Sequence, residues 1–166
     1  MKKVESYYGK LPPESLKELD SLLLELKEAN SANKGKRVIS RSEIVSLPED
    51  KYLKLWGYLN HCCKLVSNWD NVNKAIRVIA SKTMRPFSEV QEECIMSMTI
   101  HVYTYAWRHY EHSEDSSAYV LSTAKFGFCS WIKEQNSYFN GIAIARSEAE
   151  DMRLDRGHKV CTLNIS

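Results

Sequence analysis

The sequence lacks the motifs that mark nucleotide-binding, hydrolytic and metal-dependent proteins. Its six glycines form neither a GxxxxGK[ST] nor a GxGxxG loop, and HExxH, GxSxG and CxxC are absent. No apolar run approaches the roughly 18 residues that a membrane span needs. The start, MKKVESYYGK, has two lysines with no apolar stretch behind them, so we expect neither membrane insertion nor a signal peptide.

The five cysteines do not form the pattern of a disulfide framework, because their number is odd and Cys62 and Cys63 are adjacent. A reducing, cytoplasmic location is therefore expected. Neighbouring helical side chains point about 100° apart, so Cys62 and Cys63 are better suited to a small apolar role than to a metal. His109 and His112 have no further ligand nearby in sequence. We expect no metal, no cofactor and no enzymatic activity, although a Cys–His pair formed only in the fold remains open.

Charge is distributed in blocks, although the net charge is only +2. Residues 31–41 and 71–86 contain Lys and Arg and no acid, whereas residues 87–115 are mainly acidic. Basic blocks suit nucleic acid, and an acidic block suits a basic protein surface. The alternative is that each block is a solvated helix face.

Apolar spacing predicts an all-α fold, a compact domain of about five helices with an irregular C-terminal tail. Capping boxes at Ser15/Glu18 and Ser46/Glu49 are expected to start the first two helices. Pro86 either ends the third helix or starts the fourth, and residues 99–105 could instead form a strand. Asp115, Ser116 or Ser117 could cap the fifth helix. The predicted helices cover residues 15–30, 49–67, about 72–85 after a turn at 67–71, 87–109 and about 116–140.

The predicted domain covers residues 1–140, and residues 141–166 form a tail or extension. The tail could end in a short strand at 160–165 or dock on the core. Residues 30–46 are polar and basic and are predicted to form a loop.

The fifth predicted helix carries two stripes at helical spacing. The first is apolar and suits a core: Ala118, Leu121, Ala124, Phe128, Trp131 and Ile132. The second mixes aromatic and polar residues: Tyr119, Ser122, Phe126 and Lys133. This second face either remains exposed or packs against the first helix.

The order of these segments resembles region 2 of bacterial sigma factors, and above all the small, divergent sigma factors that tailed bacteriophages use for late genes. The matching pieces are the acidic helix start SEVQEE at 88–93, the helix start SAYV at 117–120 and the helix end WIKE at 131–134. Phe126 and Phe128 match the aromatic spacing of the phage proteins. The resemblance covers residues 87–135 with some specificity and residues 15–67 in outline.

The resemblance implies a phage-type sigma factor that binds bacterial core RNA polymerase and opens a −10-type promoter element. The acidic helix would contact the basic clamp coiled coil of the polymerase, through Glu89, Glu92, Glu93 and Met96. Aromatic and basic residues would hold the unwound promoter strand, since aromatic side chains stack on bases and cations neutralise phosphates. These DNA-binding residues are expected to be Tyr119, Lys125, Phe126, Trp131 and Lys133, together with Lys36 and Arg37 in the basic loop.

Two departures from the family qualify these expectations. Larger sigma factors place paired tryptophans where this chain has Ser122 and Thr123, so the melting aromatics must be Tyr119, Phe126 or Trp131. The C-terminus does not resemble the sliding-clamp tail of some phage sigma factors, although a phage co-activator remains a possible partner. The alternative function is a small helical phage nucleic-acid-binding or scaffold protein unrelated to RNA polymerase.

Overall fold

The computed structural model describes residues 11–33 and 41–146, and this part of the chain folds into five α-helices. The all-α prediction is confirmed. The strand alternative near 99–105 is wrong, because these residues continue the fourth helix. The helices are α1 (Pro13–Ala29), α2 (Glu49–Ser67), α3 (Asp70–Thr83), α4 (Phe87–Tyr105) and α5 (Ser116–Arg146), with short 3₁₀ turns at Ser31–Asn33, Arg41–Glu43 and Ala106–His109.

Prolines, not side-chain caps, precede three of the helices. Pro12, Pro48 and Pro86 hold an extended backbone just before α1, α2 and α4, and no side-chain cap forms at these starts. Both predicted capping boxes are therefore wrong. Glu18 instead accepts hydrogen bonds from α2, and the hydroxyl of Ser46 lies 3.3 Å from that of Tyr103.

The α5 start follows the prediction. Asp115 directly precedes the helix, and its Oδ1 accepts a hydrogen bond from the Ala118 N–H at 3.3 Å. The hydroxyl of Ser117 donates to the same oxygen at 2.7 Å. Asp115 therefore satisfies a backbone donor in the first turn that has no partner within the helix.

Helix α4 lies at the centre of the fold and packs on α2, α3 and α5. The predicted apolar stripes of α2 and α3 are buried, including Leu55, Leu59, Ile76 and Ile79. Cys62 and Cys63 are buried in the same core, where burial raises the pKa of each thiol to about 12. They act as small apolar residues, as the sequence predicts.

Two buried polar side chains, one within α1 and one directly after it, hold irregular segments against the helices. Asn30 is fully buried, and it donates to the Val45 carbonyl at 2.9 Å and accepts from the Val45 N–H at 2.7 Å. Asp20 accepts from the Tyr110 hydroxyl, from the Ser113 N–H at 3.1 Å and pairs with His112 Nδ1 at 2.7 Å. The segment before α2 and the segment after α4 are thus both held by the α1 region.

The predicted domain end at residue 140 falls inside α5, which continues to Arg146. The remainder of the predicted tail, residues 147–166, lies outside the described residues, as do Lys36 and Arg37 of the basic loop.

Within residues 11–33 and 41–146, no helix is both long enough and apolar enough to cross a membrane.

Candidate protein-binding and nucleic-acid-binding surfaces

Packing between α4 and α5 brings the two predicted binding surfaces onto adjacent helices. A Cβ built on Gly127 of α5 would lie 3.0 Å from the His101 Cβ and 3.2 Å from the Met98 Cα. The two helices approach this closely because glycine has no side chain. Burial lowers the pKa of His101, so its ring is neutral near pH 7 and adds no charge to this contact.

The acidic start of α4 is exposed, but two of its carboxylates already have partners. Arg85 donates from Nε to Glu89 Oε2 at 3.0 Å and from Nη2 to Glu93 Oε1 at 2.7 Å. The other oxygen of Glu93 accepts from the Trp131 indole at 3.3 Å. Glu93 is therefore partly committed to the fold, and a partner must share or displace these contacts to use it.

Glu92 and Met96 form the more accessible part of this surface. Both are exposed on α4, with 47% of Met96 accessible, and they lie one helical turn apart. Glu92 makes no ion pair within the described residues. An exposed carboxylate beside a flexible thioether side chain suits a basic protein surface that also offers apolar contact. We define Glu89, Glu92, Glu93 and Met96 as the acidic surface.

Phe126 is the outstanding residue on α5, because 65% of this large apolar side chain is exposed. Ser122, Ser130 and Lys133 lie on the same helical face and are exposed as well, and Lys125 is exposed beside it. We define Lys125, Phe126 and Lys133 as the aromatic–basic surface. It combines a free aromatic face with two solvated ammonium groups, which is the chemistry that binds an unpaired nucleic-acid strand.

Two predicted DNA-contacting aromatics are not exposed as expected. The expectation for Trp131 is wrong, because only 1% of it is accessible and its indole is bonded to Glu93. Trp131 lies on the core stripe of α5, where its ring centroid is 6.5 Å from that of Phe128. Tyr119 is half-buried and packs edge-on against Tyr110, with centroids 5.3 Å apart. The second stripe of α5 is thus partly structural, and Phe126 carries its exposed apolar area.

Sequence reasoning missed two residues that shape these surfaces. Arg85 orders the acidic surface, and its spacing of four residues from Glu89 was an available signal for an ion pair. Gly127 sets the helix approach, and an isolated glycine within a predicted helix was the corresponding signal. The positive φ of 55° at Met84, which places Arg85 after the α3 end, had no sequence signal because methionine rarely adopts it.

Comparisons with known families, proteins and structures found no match. No protein-family profile matches the chain, and neither a curated protein nor a solved structure matches it.

Proposed function

We propose that this protein is a sigma-type initiation factor, an adaptor that joins bacterial core RNA polymerase to promoter DNA, as phage late sigma factors do. The observation that carries the proposal is the pairing of α4 and α5. One helix presents the acidic surface, its neighbour presents the aromatic–basic surface, and the close approach at Gly127 fixes their relation. An adaptor needs this arrangement, because a strand must be held at a set position relative to the polymerase.

The acidic surface would bind the basic clamp coiled coil of the polymerase. Glu92 and Met96 supply a free charge and a free apolar contact, and Glu89 and Glu93 extend the negative potential despite their pairing with Arg85. Opposite charges across such an interface accelerate association and fix its register.

The aromatic–basic surface would hold bases of the unwound −10 element. Phe126, Lys125 and Lys133 are exposed, so Phe126 would stack on a base and the two lysines would neutralise phosphates beside it. Stacking of a base on an aromatic side chain contributes about 1–3 kcal/mol, which helps offset the cost of unpairing it. The corrected position of Trp131 leaves Phe126 as the principal melting aromatic of this proposal.

Polymerase binding is tested by retention of purified bacterial core RNA polymerase on the immobilised full chain, with the housekeeping sigma factor as competitor. We expect wild type to retain the enzyme, and the double variant Glu92→Ala/Met96→Ala to lose at least about tenfold in affinity. Glu49→Ala/Leu53→Ala is the matched control, because it removes an exposed acid and an exposed apolar residue, also four positions apart, from α2.

Strand capture is tested on the protein–polymerase complex with a forked DNA that has one unpaired strand. Phe126→Ala/Lys133→Gln should weaken binding to the fork while leaving polymerase retention unchanged. A folded helical chain that retains no polymerase contradicts the proposal. DNA binding without polymerase binding would favour the alternative of a helical nucleic-acid-binding or scaffold protein.

A further inference from the structure

Helix α3 and the end of α2 present exposed cations. Lys74 and Arg77 are exposed on α3, and Lys64 is exposed near the end of α2. None of the three forms an ion pair within residues 11–33 and 41–146. The only acid of α3 is Asp70, in its first turn, where it suits the positive end of the helix dipole.

Some cations elsewhere in the bundle are paired with acids. Lys51 contacts Glu25 at 2.8 Å and Lys54 contacts Glu18 at 3.1 Å between α2 and α1. Arg85 is shared by two glutamates, as described above. Among the described residues, the α3 face therefore resembles the aromatic–basic surface of α5, and differs from the α1–α2 contact, in having cations without an ion pair.

An aromatic side chain lies at the start of α3, because Trp69 directly precedes the helix. Asn73 and Arg77 follow Trp69 at steps of four residues, and Lys74 lies three residues before Arg77, on the neighbouring side of the helix. Arg77 Nη2 donates to Asn73 Oδ1 at 2.7 Å, which directs the guanidinium toward the Trp69 end of the helix. The indole of Trp69 is 38% exposed, whereas Trp107 and Trp131 are each 1% exposed. We define Trp69, Lys74 and Arg77 as the α3 stripe.

We propose that the α3 stripe is a second binding site, for single-stranded nucleic acid, separate from the aromatic–basic surface of α5. The indole stacks on a base, and Lys74 and Arg77 bind the phosphates that flank it. From 69 to 77 the helix rises by about 12 Å, which matches three to four stacked nucleotides. An exposed aromatic ring among cations favours a single strand over a duplex, whose bases are already stacked on one another. This site does not depend on polymerase binding.

The charge contribution is tested with the full chain and a fluorescent DNA strand of about 20 nucleotides, titrated by anisotropy from about 50 to about 200 mM salt. Lys74→Gln/Arg77→Gln should bind about tenfold more weakly, and its salt slope should fall by about 1.4, or 0.7 for each lost phosphate contact. Lys17→Gln/Lys51→Gln removes the same charge from exposed positions of α1 and α2, and should stay within about twofold of wild type. Equal weakening in both double variants would overturn the site.

The aromatic contribution is tested by tryptophan emission in the same titration. Stacking should quench the emission of the wild type, and Trp69→Tyr should abolish most of the quenching while keeping most of the affinity, because tyrosine also stacks. Trp69→Ala should lose both. Unchanged quenching in Trp69→Tyr would overturn the stacking assignment, as would equal affinity for the matching duplex.

Phe126→Ala separates this site from the one proposed on α5. The α3 site predicts that this variant retains quenching of Trp69 by the isolated strand. Loss of all binding in Phe126→Ala, with wild-type binding in the α3 variants, would show that the α5 surface alone binds the strand.

Discussion

The contacts of α1 with the irregular segments and the contact between α4 and α5 represent two different ways of fixing chain segments. Asn30, directly after α1, and Asp20, within it, hold Val45 and Ser113 through directed hydrogen bonds of their buried side chains. The α4–α5 pair instead relies on shape, because Gly127 permits close approach. Segments without a periodic apolar face bury little area, so they need such hydrogen bonds, whereas two amphipathic helices need a good fit.

The largest effect should come from removing the Asn30 anchor. Asn30→Ala leaves the partly buried N–H and carbonyl of Val45 without these partners, and also removes the buried 3.1 Å contact with Asn33. Each unsatisfied buried group costs about 1–3 kcal/mol, so we expect the free energy of unfolding to fall by about 3 kcal/mol. Urea denaturation followed by circular dichroism measures this change.

Asn68→Ala is the matched control for that measurement. The Asn68 amide also donates to a backbone carbonyl, Lys64 O at 3.1 Å, but at an exposed helix end where water replaces it. We expect a loss below about 1 kcal/mol. Equal losses in the two variants would show that the buried Asn30 network does not anchor the loop.

The Asp20 anchor should produce a smaller and pH-dependent effect. Burial raises the pKa of Asp20, but hydrogen bonds from Tyr110, His112 and the Ser113 N–H together lower it below the ordinary value of an aspartate. A carboxyl whose pKa is depressed on folding contributes stability above its unfolded pKa and loses it as the pH falls through the folded one. Asp20→Asn should therefore lower the free energy of unfolding by about 2 kcal/mol at pH 7, and by progressively less below about pH 4.

Urea denaturation at several pH values between about 3 and 7 checks this window. Asp50→Asn, at an exposed carboxyl of α2, is the control and should follow wild type closely at each pH. A gap between wild type and Asp20→Asn that stays constant down to the lowest pH would contradict the charged anchor.

The shape-based contact is tested by Gly127→Ala. The new methyl group would press on the Met98 Cα at 3.2 Å, so part of the α4 backbone must shift. Overpacking of this kind lowers the free energy of unfolding by about 1–3 kcal/mol, and the better helix propensity of alanine offsets about 1 kcal/mol of that loss. We expect a net loss of about 1 kcal/mol in urea denaturation, with weaker binding at any site that needs α4 and α5 in register. A net gain in stability would mean that the two helices separate without cost.

The helices themselves were largely predictable from the sequence, and the reason is physical. Residues 49–67 show an apolar stripe bounded by Pro48 and by turn residues after Ser67, and the structure begins and ends α2 at those positions. Burial of one face dictates such a pattern along the chain, so it can be read locally.

The anchors and the accessible part of the candidate sites were not predictable in the same way. Asn30 and Val45 are fifteen residues apart and no periodicity links them. On α5, both stripes contain aromatics, so spacing alone could not decide that Phe126 is exposed and Trp131 buried. That choice depends on where α4 lies, and it is set by Gly127 and by the Glu93–Trp131 hydrogen bond.

The smallest effect, and the reference for the α4–α5 contact, is expected at Gly57. This residue lies within α2 on an exposed face, and a Cβ built there meets no atom within 4 Å. Gly57→Ala therefore changes helix propensity and little else, and should raise the free energy of unfolding by about 0.5–1 kcal/mol. Subtracting this value from the Gly127→Ala result leaves the packing cost of the helix contact by itself. If Gly57→Ala destabilises the protein, α2 has a contact on its exposed face, and the difference no longer measures packing at Gly127.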